Sequence, residues 1–586
     1  MNFPLNPLEK NICSFLLEVN NRMRTGSILR IAGGFVRDKL LGIPSDDIDI
    51  AVSNMTGKQF VEKATQYGDE WQKQNGQPHP ALGKSYVVEA NPEKSKQLET
   101  TALQIYGLKV DFVNLREEKY DPESRVPVMT LATGPDAPKK DAERRDLSIN
   151  ALFYNINTGQ IEDYVGGLED LQSMTLRTPL EPVQTFKDDP LRLLRVLRFY
   201  SKYPNARIDP KIIEAMKLPE VHNMYADLSA AFDPKKKNYK VSPERAWPEL
   251  KKIMSGARPA EALRIMFNTG LYKAVFNTHK FRELMDINMD QKTSHHAHNL
   301  IDHTLNVMEE MNKIVRAENI DPETRMLMNF ATLFHDMGKA HPEIRKPHKN
   351  RPGEYSYHQH EEKSVEVADE ILKIIGMGDK ARSFVTQIIS GHMDPHLWNE
   401  PSSPIAGIPT GSDSRKIRSY YSQLHQLLSK ITPIEKSNKK DALPTKSYSR
   451  GDIANLIMLH SLADTIGKNV KEPDVKDMEA KKRHRVNLQN YYGYWQGLKP
   501  LIDGFELIKM FSHLDPAYAV DGKTFINDLK ERLSEKQATG FIVSKEDALK
   551  FVDQMRPYIN DQYNKEKQQK KDVTAWLVSQ CRFSKL

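Results

Sequence analysis

Residues 28–52 carry the sequence ILRIAGGFVRDKLLGIPSDDIDIAV. An apolar run with high β-propensity ends at the Gly33-Gly34 pair, and polar and apolar side chains alternate again from residue 46 onward. Because paired glycines favour a turn, this order predicts a strand, a glycine turn, a short helix and a second strand. The stretch therefore begins a mixed α/β domain.

Further strands are expected in the same domain. The segments KSYVVEA (84–90) and LKVDFVNLR (108–116) flank a polar segment and have the composition of strands. The segment INALFYNINTGQIEDYV (149–165) predicts a β-hairpin that turns at residues 157–159. We expect residues 1–180 to form this mixed α/β head.

The second strand carries a pair of aspartates. The period of two of a strand places Asp47 and Asp49 on one face, a few ångströms apart. Asp111, inside the apolar segment 108–116, is the expected third carboxylate from a neighbouring strand. Two-metal nucleotidyl transfer requires such a cluster of hard oxygen ligands for Mg²⁺. Two aspartates at this spacing are common by chance, so other features must support the assignment.

The glycine pair supplies that support. Gly33 and Gly34 follow a strand and precede a helix, where bare backbone N–H groups approach a triphosphate closely. Arg37 adds a positive charge in the next turn. From Gly33 to Asp49 the chain thus places a phosphate cradle and metal ligands within 17 residues.

The remainder of the chain has a helical pattern. Apolar residues recur at helical spacing from Asp188 onward, and the region that begins at His295 is also rich in histidine. A Pro-, Ser-, Gly- and Lys-rich stretch at 399–452 predicts a loop insertion or lid. The expected fold class is α+β, with the head at 1–180, a helical neck and body at 181–285, a helical histidine-rich domain at 286–504 and a helical tail at 505–586.

The composition restricts the classes of protein that fit. A chain of 586 residues exceeds the size at which one hydrophobic core keeps growing, which predicts several domains. No apolar run approaches the roughly 20 residues of a bilayer span, so no membrane partner is expected. The two cysteines, Cys13 and Cys581, lie far apart and predict a reducing, cytoplasmic environment. The net charge of +7 is compatible with a polyanionic partner, and the oligomeric state stays open.

Five separated segments resemble, in order and spacing, the class II tRNA nucleotidyltransferases, a family that includes CCA-adding enzymes and bacterial poly(A) polymerases. The segments are GGFVRD (33–38), DDIDIAV (46–52), RRDLSINALFYN (144–155), YVGGLEDL (164–171) and DDPLRLLRVLRF (188–199). The head looks particularly like that of eukaryotic CCA-adding enzymes. The resemblance implies a polymerase-β-like nucleotidyltransferase head followed by a helical neck, body and tail.

The resemblance also implies roles for individual residues. Asp47 and Asp49 would be the catalytic Mg²⁺ ligands, to which the strand argument adds Asp111. The residues expected to hold the incoming nucleotide are Gly33, Gly34, Arg37, Arg144, Arg145, Asp146, Asn150, Asp189, Arg192 and Arg195. The family's base-reading motif usually begins Glu-Asp, whereas this chain has Asp188-Asp189 and retains the pairing residue.

Asp189 and Arg192 also have a physical interpretation of their own. They lie three residues apart at a predicted helix start, hence on one face, and offer a carboxylate beside a forked set of donors. Such a pair matches the edge of a base and permits nucleotide selection without a nucleic-acid template. The alternative is an i,i+3 salt bridge at the start of a helix.

A second set of candidate ligands lies in the histidine-rich region. Its members occupy separate helical segments and are His303, His335, Asp336, His360, His392 and Asp464. Imidazole and carboxylate groups together indicate a metal site. The pattern H…HD…D resembles the HD superfamily of metal-dependent phosphohydrolases, and His360 and His392 resemble the extra ligands of its binuclear or substrate-binding versions. Lys339 in HDMGK would contact a phosphate.

The sequence thus predicts an enzyme that adds or repairs the 3′-terminal CCA of tRNA from CTP and ATP, with Mg²⁺ in the head. The HD domain is expected to bind Mg²⁺, Mn²⁺ or Ni²⁺ and to hydrolyse phosphate esters at RNA ends. Poly(A) polymerase is one alternative, because the active-site motifs of the two activities are nearly shared. The other alternative is an HD phosphohydrolase with a degenerate, RNA-binding head, and the intact Asp47/Asp49 pair argues against it.

Overall fold

A computed structural model describes most of the chain. The described residues are 3–88, 100–119, 128–132, 134–226, 241–293, 298–398, 415–439, 442–468, 475–514, 519–520 and 523–583. The chain divides into two compact units, Met1–Leu284 with Glu370–Met377, and Met285–Asp369 with Gly378–Leu586. The four-part domain division remains a prediction. None of the described helices has the length and apolar character that a membrane span requires.

The α+β class is confirmed, because a mixed sheet with flanking helices forms the head and helices dominate elsewhere. The head, neck and body contain α1 (Pro7–Arg22), β1 (Leu29–Ala32), α2 (Gly34–Leu40), β2 (Ile48–Val52), α3 (Gly57–Asn75), β3 (Leu82–Val88), β4 (Thr100–Ile105), β5 (Leu108–Asn114), β6 (Arg116–Lys119), β7 (Val128–Leu131), α4 (Ala137–Glu143), β8 (Phe153–Asn155), β9 (Gln160–Glu162), α5 (Gly167–Ser173), β10 (Thr175–Leu176), α6 (Pro182–Asp188), α7 (Arg192–Lys202), β11 (Arg207–Ile208), α8 (Pro210–Met216), α9 (Pro219–Tyr225), α10 (Pro243–Met254), α11 (Pro259–Asn268), α12 (Tyr272–Val275) and α13 (His279–Arg282).

The later elements are also mainly helical. They are α14 (Leu300–Ala317), α15 (Pro322–Phe334), β12 (Lys346–Pro347), β13 (Tyr355–Ser356), α16 (His360–Ile374), α17 (Asp379–Gly391), α18 (Arg415–Lys430), α19 (Arg450–Lys468), α20 (Val475–Gly497), α21 (Gly504–Met510), β14 (Ala519–Val520), β15 (Lys523–Thr524), α22 (Phe525–Ala538) and α23 (Lys545–Phe583). Single 3₁₀ turns lie at Ser148–Asn150, Met337–Ala340 and Asp394–His396.

The head sheet has the strand order β3-β4-β5-β2-β1-β8-β9. The predicted strand, glycine turn, helix and strand are β1, α2 and β2, and the predicted hairpin is β8 with β9. β2 and β5 pair in parallel, whereas the other neighbouring pairs in this sheet are antiparallel. β4 was not predicted, because its TTALQI sequence alternates weakly; Thr101 and Ala102 are nevertheless both buried. The polar segment 91–99 lies outside the described residues.

The prediction of a loop insertion over 399–452 is wrong for much of its length. Residues 415–430 form α18, and α19 already begins at Arg450. The helical period of α18 places Tyr420, Leu424 and Leu428 inside the fold, and the surrounding polar composition concealed this period in the sequence. Residues 399–414 lie outside the described part of the chain.

Close packing of α14 on α19 brings two of the candidate metal-ligand residues together. His303 lies on α14 and Asp464 on α19, and both are almost wholly buried. Gly467 permits the contact, because a Cβ there would lie 2.9 Å from the backbone nitrogen of Val307. Protein interiors are packed too tightly to absorb such an overlap without movement.

We expect Gly467→Ala to lower the free energy of unfolding by about 1–3 kcal/mol, because α14 and α19 must separate. Gly493→Ala is a matched control, since Gly493 also lies within a helix and a Cβ there would meet no atom within 4 Å. Higher helix propensity should leave the control equally or slightly more stable. Thermal unfolding of both variants tests this, and equal loss in both would contradict the packing argument.

Candidate functional sites

Three carboxylates meet at two paired strands in the interior of the head sheet. Asp49 and Asp111 are directly opposed on the parallel strands β2 and β5. Asp47 precedes β2 and is exposed. Asp47, Asp49 and Asp111 each contribute one oxygen to a group in which all atoms lie within 4.8 Å of one another. The structure therefore brings together the three carboxylates that the sequence analysis selected.

The crowding changes the titration of Asp49. Burial raises the pKa of its carboxyl to about 6, the charges of Asp47 and Asp111 add to the rise, and Arg145 opposes it. Lys109 Nζ lies 2.7 Å from Asp111 Oδ1 and offsets part of the negative charge. A divalent cation would relieve the remaining repulsion, and an oxygen-only donor set suits a hard cation.

The glycine turn lies next to an arginine. Gly33 has a φ of +73°, a conformation that favours glycine, and a Cβ there would lie 2.7 Å from Arg145 Nη1. Arg37, in the first turn of α2, donates to Asn150 Oδ1 and, at 2.9 Å, to each carboxylate oxygen of Asp38. The guanidinium expected to face phosphates is thus already held by two side chains.

A buried carboxylate that the sequence analysis missed holds the arginine pair of the RRD segment. Asp141 is 1% exposed. Its Oδ1 accepts from Arg144 Nη2 at 2.6 Å, and its Oδ2 accepts from Arg145 Nη2 at 2.9 Å. Burial alone would raise the pKa of Asp141, but the two guanidinium groups outweigh burial and lower it. The i,i+3 and i,i+4 spacing from α4 is the sequence signal that identifies this residue.

Asp146 connects the head to the neck. Its Oδ1 accepts from Asn150 Nδ2 at 2.9 Å, and its Oδ2 lies 2.6 Å from Arg195 Nη2. Burial would raise the pKa of Asp146, but Arg195 and Asn150 lower it well below its usual range. Glu249 on α10 lies 3.7 Å from Arg195 Nη1 and extends the network. The candidate nucleotide residues Asp146, Asn150 and Arg195 therefore form one connected group.

Asp189 and Arg192 have different partners. Arg192 is 7% exposed, and it donates through Nη1 to the Thr185 carbonyl at 3.1 Å and through Nη2 to the Arg144 carbonyl. Asp189 Oδ2 accepts from Arg245 Nη2 at 2.6 Å. Arg245 lies on α10, far along the chain, so no local pattern pointed to it. Base reading by Asp189 and Arg192 stays a prediction.

The second unit gathers the predicted histidines and carboxylates into two groups that share one residue. The first group is His303, His335, Asp336 and Asp464, and the second is Asp336, His360 and His392. Within each group the ligand atoms lie within 4.8 Å of one another, and all six residues are buried. Such an arrangement has the donors for two cations bridged by one carboxylate.

Three of the four candidate imidazole ligands are oriented as metal ligands require. Nδ1 of His335, His360 and His392 lies 2.8, 2.8 and 2.6 Å from the carbonyls of Thr332, Tyr357 and Ile389. A ring that donates from Nδ1 keeps the lone pair of Nε2 for a metal. The buried Nε2 of His335 has no hydrogen-bond partner among the described residues. The donor set therefore fits divalent cations that accept both nitrogen and oxygen ligands.

Asp336 is the shared carboxylate. Its Oδ2 lies 3.3 Å from His303 Nε2, and its Oδ1 lies 2.9 Å from His360 Nε2. Burial would raise the pKa of Asp336, but Lys339 and the surrounding imidazoles lower it well below the usual range. The sequence analysis predicts that Lys339 contacts a phosphate. Its Nζ lies 2.7 Å from Asp336 Oδ2 and 3.2 Å from Gln291 Oε1.

Three further residues of this site were missed by the sequence analysis. His460 is wholly buried, with its ring 4.9 Å from that of His335, and neither ring nitrogen has a hydrogen-bond partner among the described residues. Burial lowers the pKa of His460 well below its usual value, so the ring is neutral. His396 and Lys468 contact Asp464. The i,i+4 spacing of His460 and Lys468 from Asp464 on α19 was the available signal.

Three segments of the chain match families of known proteins. Residues 29–177 match the poly A polymerase head domain, residues 239–281 match a probable RNA and SrmB-binding site of polymerase A, and residues 300–428 match the HD domain. The chain is therefore similar to a poly A polymerase head domain over one segment and to an HD domain over another. The head match contains the carboxylate cluster, and the HD match contains His303 to His392, whereas Asp464 lies beyond it.

The head domain also has curated relatives. The mitochondrial CCA tRNA nucleotidyltransferase of Saccharomyces cerevisiae is 39% identical over 308 residues, which cover 50% of this chain and 53% of the yeast protein. The Multifunctional CCA protein of Actinobacillus pleuropneumoniae serotype 5b is 28% identical over 379 residues, 63% of this chain and 76% of that protein. The chain spans about half the length of the first of these relatives.

Solved structures support the fold. The match to the Thermotoga maritima CCA-adding enzyme complexed with tRNA extends over 94% of this chain and 95% of that enzyme's chain. Its TM-score is 0.53, and the sequence identity is 17%. The match to an apo CCA-adding enzyme has a TM-score of 0.54 at 17% sequence identity and extends over 94% of this chain and 96% of that enzyme's chain. At this identity the likeness extends to the fold alone.

The raised pKa of Asp49 predicts a pH-dependent gain in stability for Asp49→Asn. Because the folded pKa of about 6 exceeds the ordinary value, the charged carboxylate destabilises the fold above pH 6 and ceases to do so at low pH. In EDTA at pH 8 we expect the variant to be about 1–2 kcal/mol more stable, with partial exposure taken into account. The gain should shrink below pH 6 and be small near pH 4.

Denaturant unfolding at both pH values measures the effect. Asp69→Asn, which removes an exposed carboxylate on α3, should change stability little at either pH. A loss of stability for Asp49→Asn at pH 8 would contradict the crowding of the three carboxylates.

Proposed function

We propose that this protein adds or repairs the 3′-terminal CCA of tRNA, with CTP and ATP as substrates. The observation that carries the proposal is the cluster of Asp47, Asp49 and Asp111 beside the Gly33 turn, within a poly A polymerase head domain. The relatives named CCA tRNA nucleotidyltransferase support the choice of reaction and substrate.

The three carboxylates would hold Mg²⁺, which supplies charge neutralisation of the triphosphate and activation of the RNA 3′-hydroxyl. The chain's own residues bind and orient the nucleotide. The backbone at Gly33 and Gly34 admits a close approach of phosphate oxygens, and a side chain at Gly33 would collide with Arg145. Arg145, fixed by Asp141, supplies positive charge on the same side of the turn.

Nucleotide selection is assigned to the start of α7. Asp189 accepts hydrogen bonds from the exocyclic amino group that cytosine and adenine share, and Arg192 donates to ring acceptors. Uracil and guanine present the opposite polarity to a carboxylate. The Arg245 ion pair holds Asp189 at the edge of the neck.

The HD site is proposed to hydrolyse phosphate esters at RNA ends, with Mg²⁺, Mn²⁺ or Ni²⁺ held by its imidazoles and carboxylates. Removal of a blocking phosphate would supply the free 3′-hydroxyl that nucleotide addition requires. We place both activities in the cytoplasm, because Cys13 is a buried free thiol, as is usual in a reducing compartment.

The decisive assay supplies CTP, ATP and Mg²⁺ to a tRNA that lacks its terminal CCA. We expect three additions followed by arrest. Asp47→Asn should lower turnover about 100- to 1000-fold, because one metal-binding charge is lost, and should leave tRNA affinity within about twofold. Asp46→Asn is the matched control, since Asp46 is the adjacent exposed carboxylate outside the cluster, and it should retain activity.

Two outcomes would replace the proposal. A long A-tail instead of three additions would identify a poly(A) polymerase. No addition by the wild-type protein, together with phosphate-ester hydrolysis that is lost in the His335→Ala/Asp336→Ala variant, would leave an HD phosphohydrolase with a degenerate head. Under the proposal, that double variant adds CCA normally to a clean 3′-hydroxyl.

Arg192→Ala is expected to weaken base discrimination. A lost contact in a polar pocket costs roughly 1–3 kcal/mol, which corresponds to a fall of about one to two decades in the preference for CTP over UTP. Single-turnover efficiencies for all four nucleotides, on a tRNA ending before its first C, measure the ratio. Arg207→Ala, an exposed arginine, serves as control. An unchanged ratio in Arg192→Ala would favour a purely structural role through the Thr185 and Arg144 carbonyls.

A further inference from the structure

Asp464 has a different environment at each carboxylate oxygen. Its Oδ1 lies 3.0 Å from His303 Nε2, on the side of the six candidate ligand residues. Its Oδ2 lies 3.0 Å from His396 Nε2 and 2.8 Å from Lys468 Nζ. Asp464 therefore separates the imidazole-rich interior from a second group of residues that bears positive charge.

Two members of the second group are more exposed than the innermost ligands. The side chain of Lys468 is 23% exposed and that of His396 is 12% exposed. His303, His335 and Asp336 are at most 3% exposed. Lys468 and His396 are therefore more accessible to a dissolved anion than these three ligands are.

A buried lysine backs this group. Lys481 on α20 is 3% exposed, and its Nζ donates to the Pro395 carbonyl at 2.6 Å, next to His396 in the chain. Asp477 lies 3.8 Å from Lys481 Nζ and balances its charge. The carbonyl contact fixes the 3₁₀ turn Asp394–His396 and with it the ring of His396.

The balance of buried charge indicates the ligand. Lys339 forms an ion pair with Asp336, and Lys468 forms one with Asp464, so the negative charges of the two carboxylates are already offset. Each divalent cation held by this donor set adds two positive charges, and uncompensated charge in a buried site is strongly unfavourable. A ligand with two negative charges offsets more of this positive charge than a ligand with one.

We propose that Lys468, with His396 and Lys481 beside it, forms the anion-binding side of the HD site and selects a phosphomonoester dianion, such as a terminal phosphate on an RNA end, over a phosphodiester. The inference rests on the phosphohydrolase function proposed above and deepens it. Lys468 supplies a charged donor to the phosphate oxygens, which form stronger hydrogen bonds with a cation than with a neutral group. His396 and Lys481 position this side of the site.

Binding of two matched, non-hydrolysable ligands to the full chain tests the proposal. The ligands are phenylphosphonate, a dianion at pH 8, and its monomethyl ester, a monoanion. Calorimetry on the Mn²⁺-loaded protein should give about tenfold tighter binding of the dianion. Lys468→Met should weaken dianion binding about tenfold and monoester binding less than twofold, because the second negative charge loses its partner. Lys468→Arg should retain most of the preference.

Two controls separate the possible failures. Lys482→Met removes an exposed lysine on α20 and should leave both affinities unchanged. Lys468→Met should bind the same number of Mn²⁺ ions as the wild type and unfold in one cooperative thermal transition, with a lower midpoint because Asp464 loses an ion-pair partner. This result excludes loss of fold or metal.

If the wild type binds none of Mg²⁺, Mn²⁺ and Ni²⁺ at a site that the His335→Ala/Asp336→Ala variant loses, the proposed phosphohydrolase function fails and the inference fails with it. If it binds Mn²⁺ but shows no preference for the dianion, or if Lys468→Met keeps that preference, the inference alone is overturned. A preference that Lys482→Met weakens as much as Lys468→Met does would also overturn it, because general surface charge would then be the cause.

Discussion

Like charges held within a few ångströms of one another are the constraint on which the structure depends. In the head, parallel pairing of β2 with β5 opposes Asp49 to Asp111. The fold tolerates the repulsion between these carboxylates because Ile50 and Phe112, the next pair in the register, are buried beside Asp49 and Asp111. Repulsion of this size, about 1–2 kcal/mol, is small beside the burial of a strand core and is relieved by a cation.

The candidate nucleotide-binding residues already form hydrogen bonds and ion pairs with other side chains when no ligand is bound. Arg144 and Arg145 are fixed by Asp141, and Arg195 is fixed by Asp146. Long arginine side chains lose considerable conformational entropy when they are immobilised, so prior fixation lowers that cost at the binding step. Asp141 also offsets the repulsion between the neighbouring guanidinium groups of Arg144 and Arg145. The arginines are therefore held in place when no ligand is bound, as the proposed binding of a nucleotide triphosphate requires.

The sequence alone identified candidate site residues wherever their assignment depended on local spacing. Strand alternation located Asp47 and Asp49, and a third apolar strand located Asp111, because period and composition are local properties. The partner of Asp189 escaped prediction because Arg245 reaches it from a distant helix. His460 escaped because one histidine on an apolar helix is ordinarily a core residue, and only tertiary packing places it against His335. Helix α18 escaped prediction for a different reason, because the polar composition around it concealed its helical period.

The two candidate sites differ in donor chemistry, and this difference makes their activities separable. The head offers oxygen atoms alone, and Asp47 is exposed there, which suits a cation that keeps part of its water shell. The HD site offers imidazole nitrogens around Asp336 in a buried cluster, which suits cations that exchange water for nitrogen ligands. Mn²⁺ and Ni²⁺ should therefore prefer the imidazole-rich cluster to the head, whereas Mg²⁺ suits the oxygen ligands of the head. Under the proposed function, variants of Asp47 and of His335 separate the two centres, because their ligand groups have no residue in common.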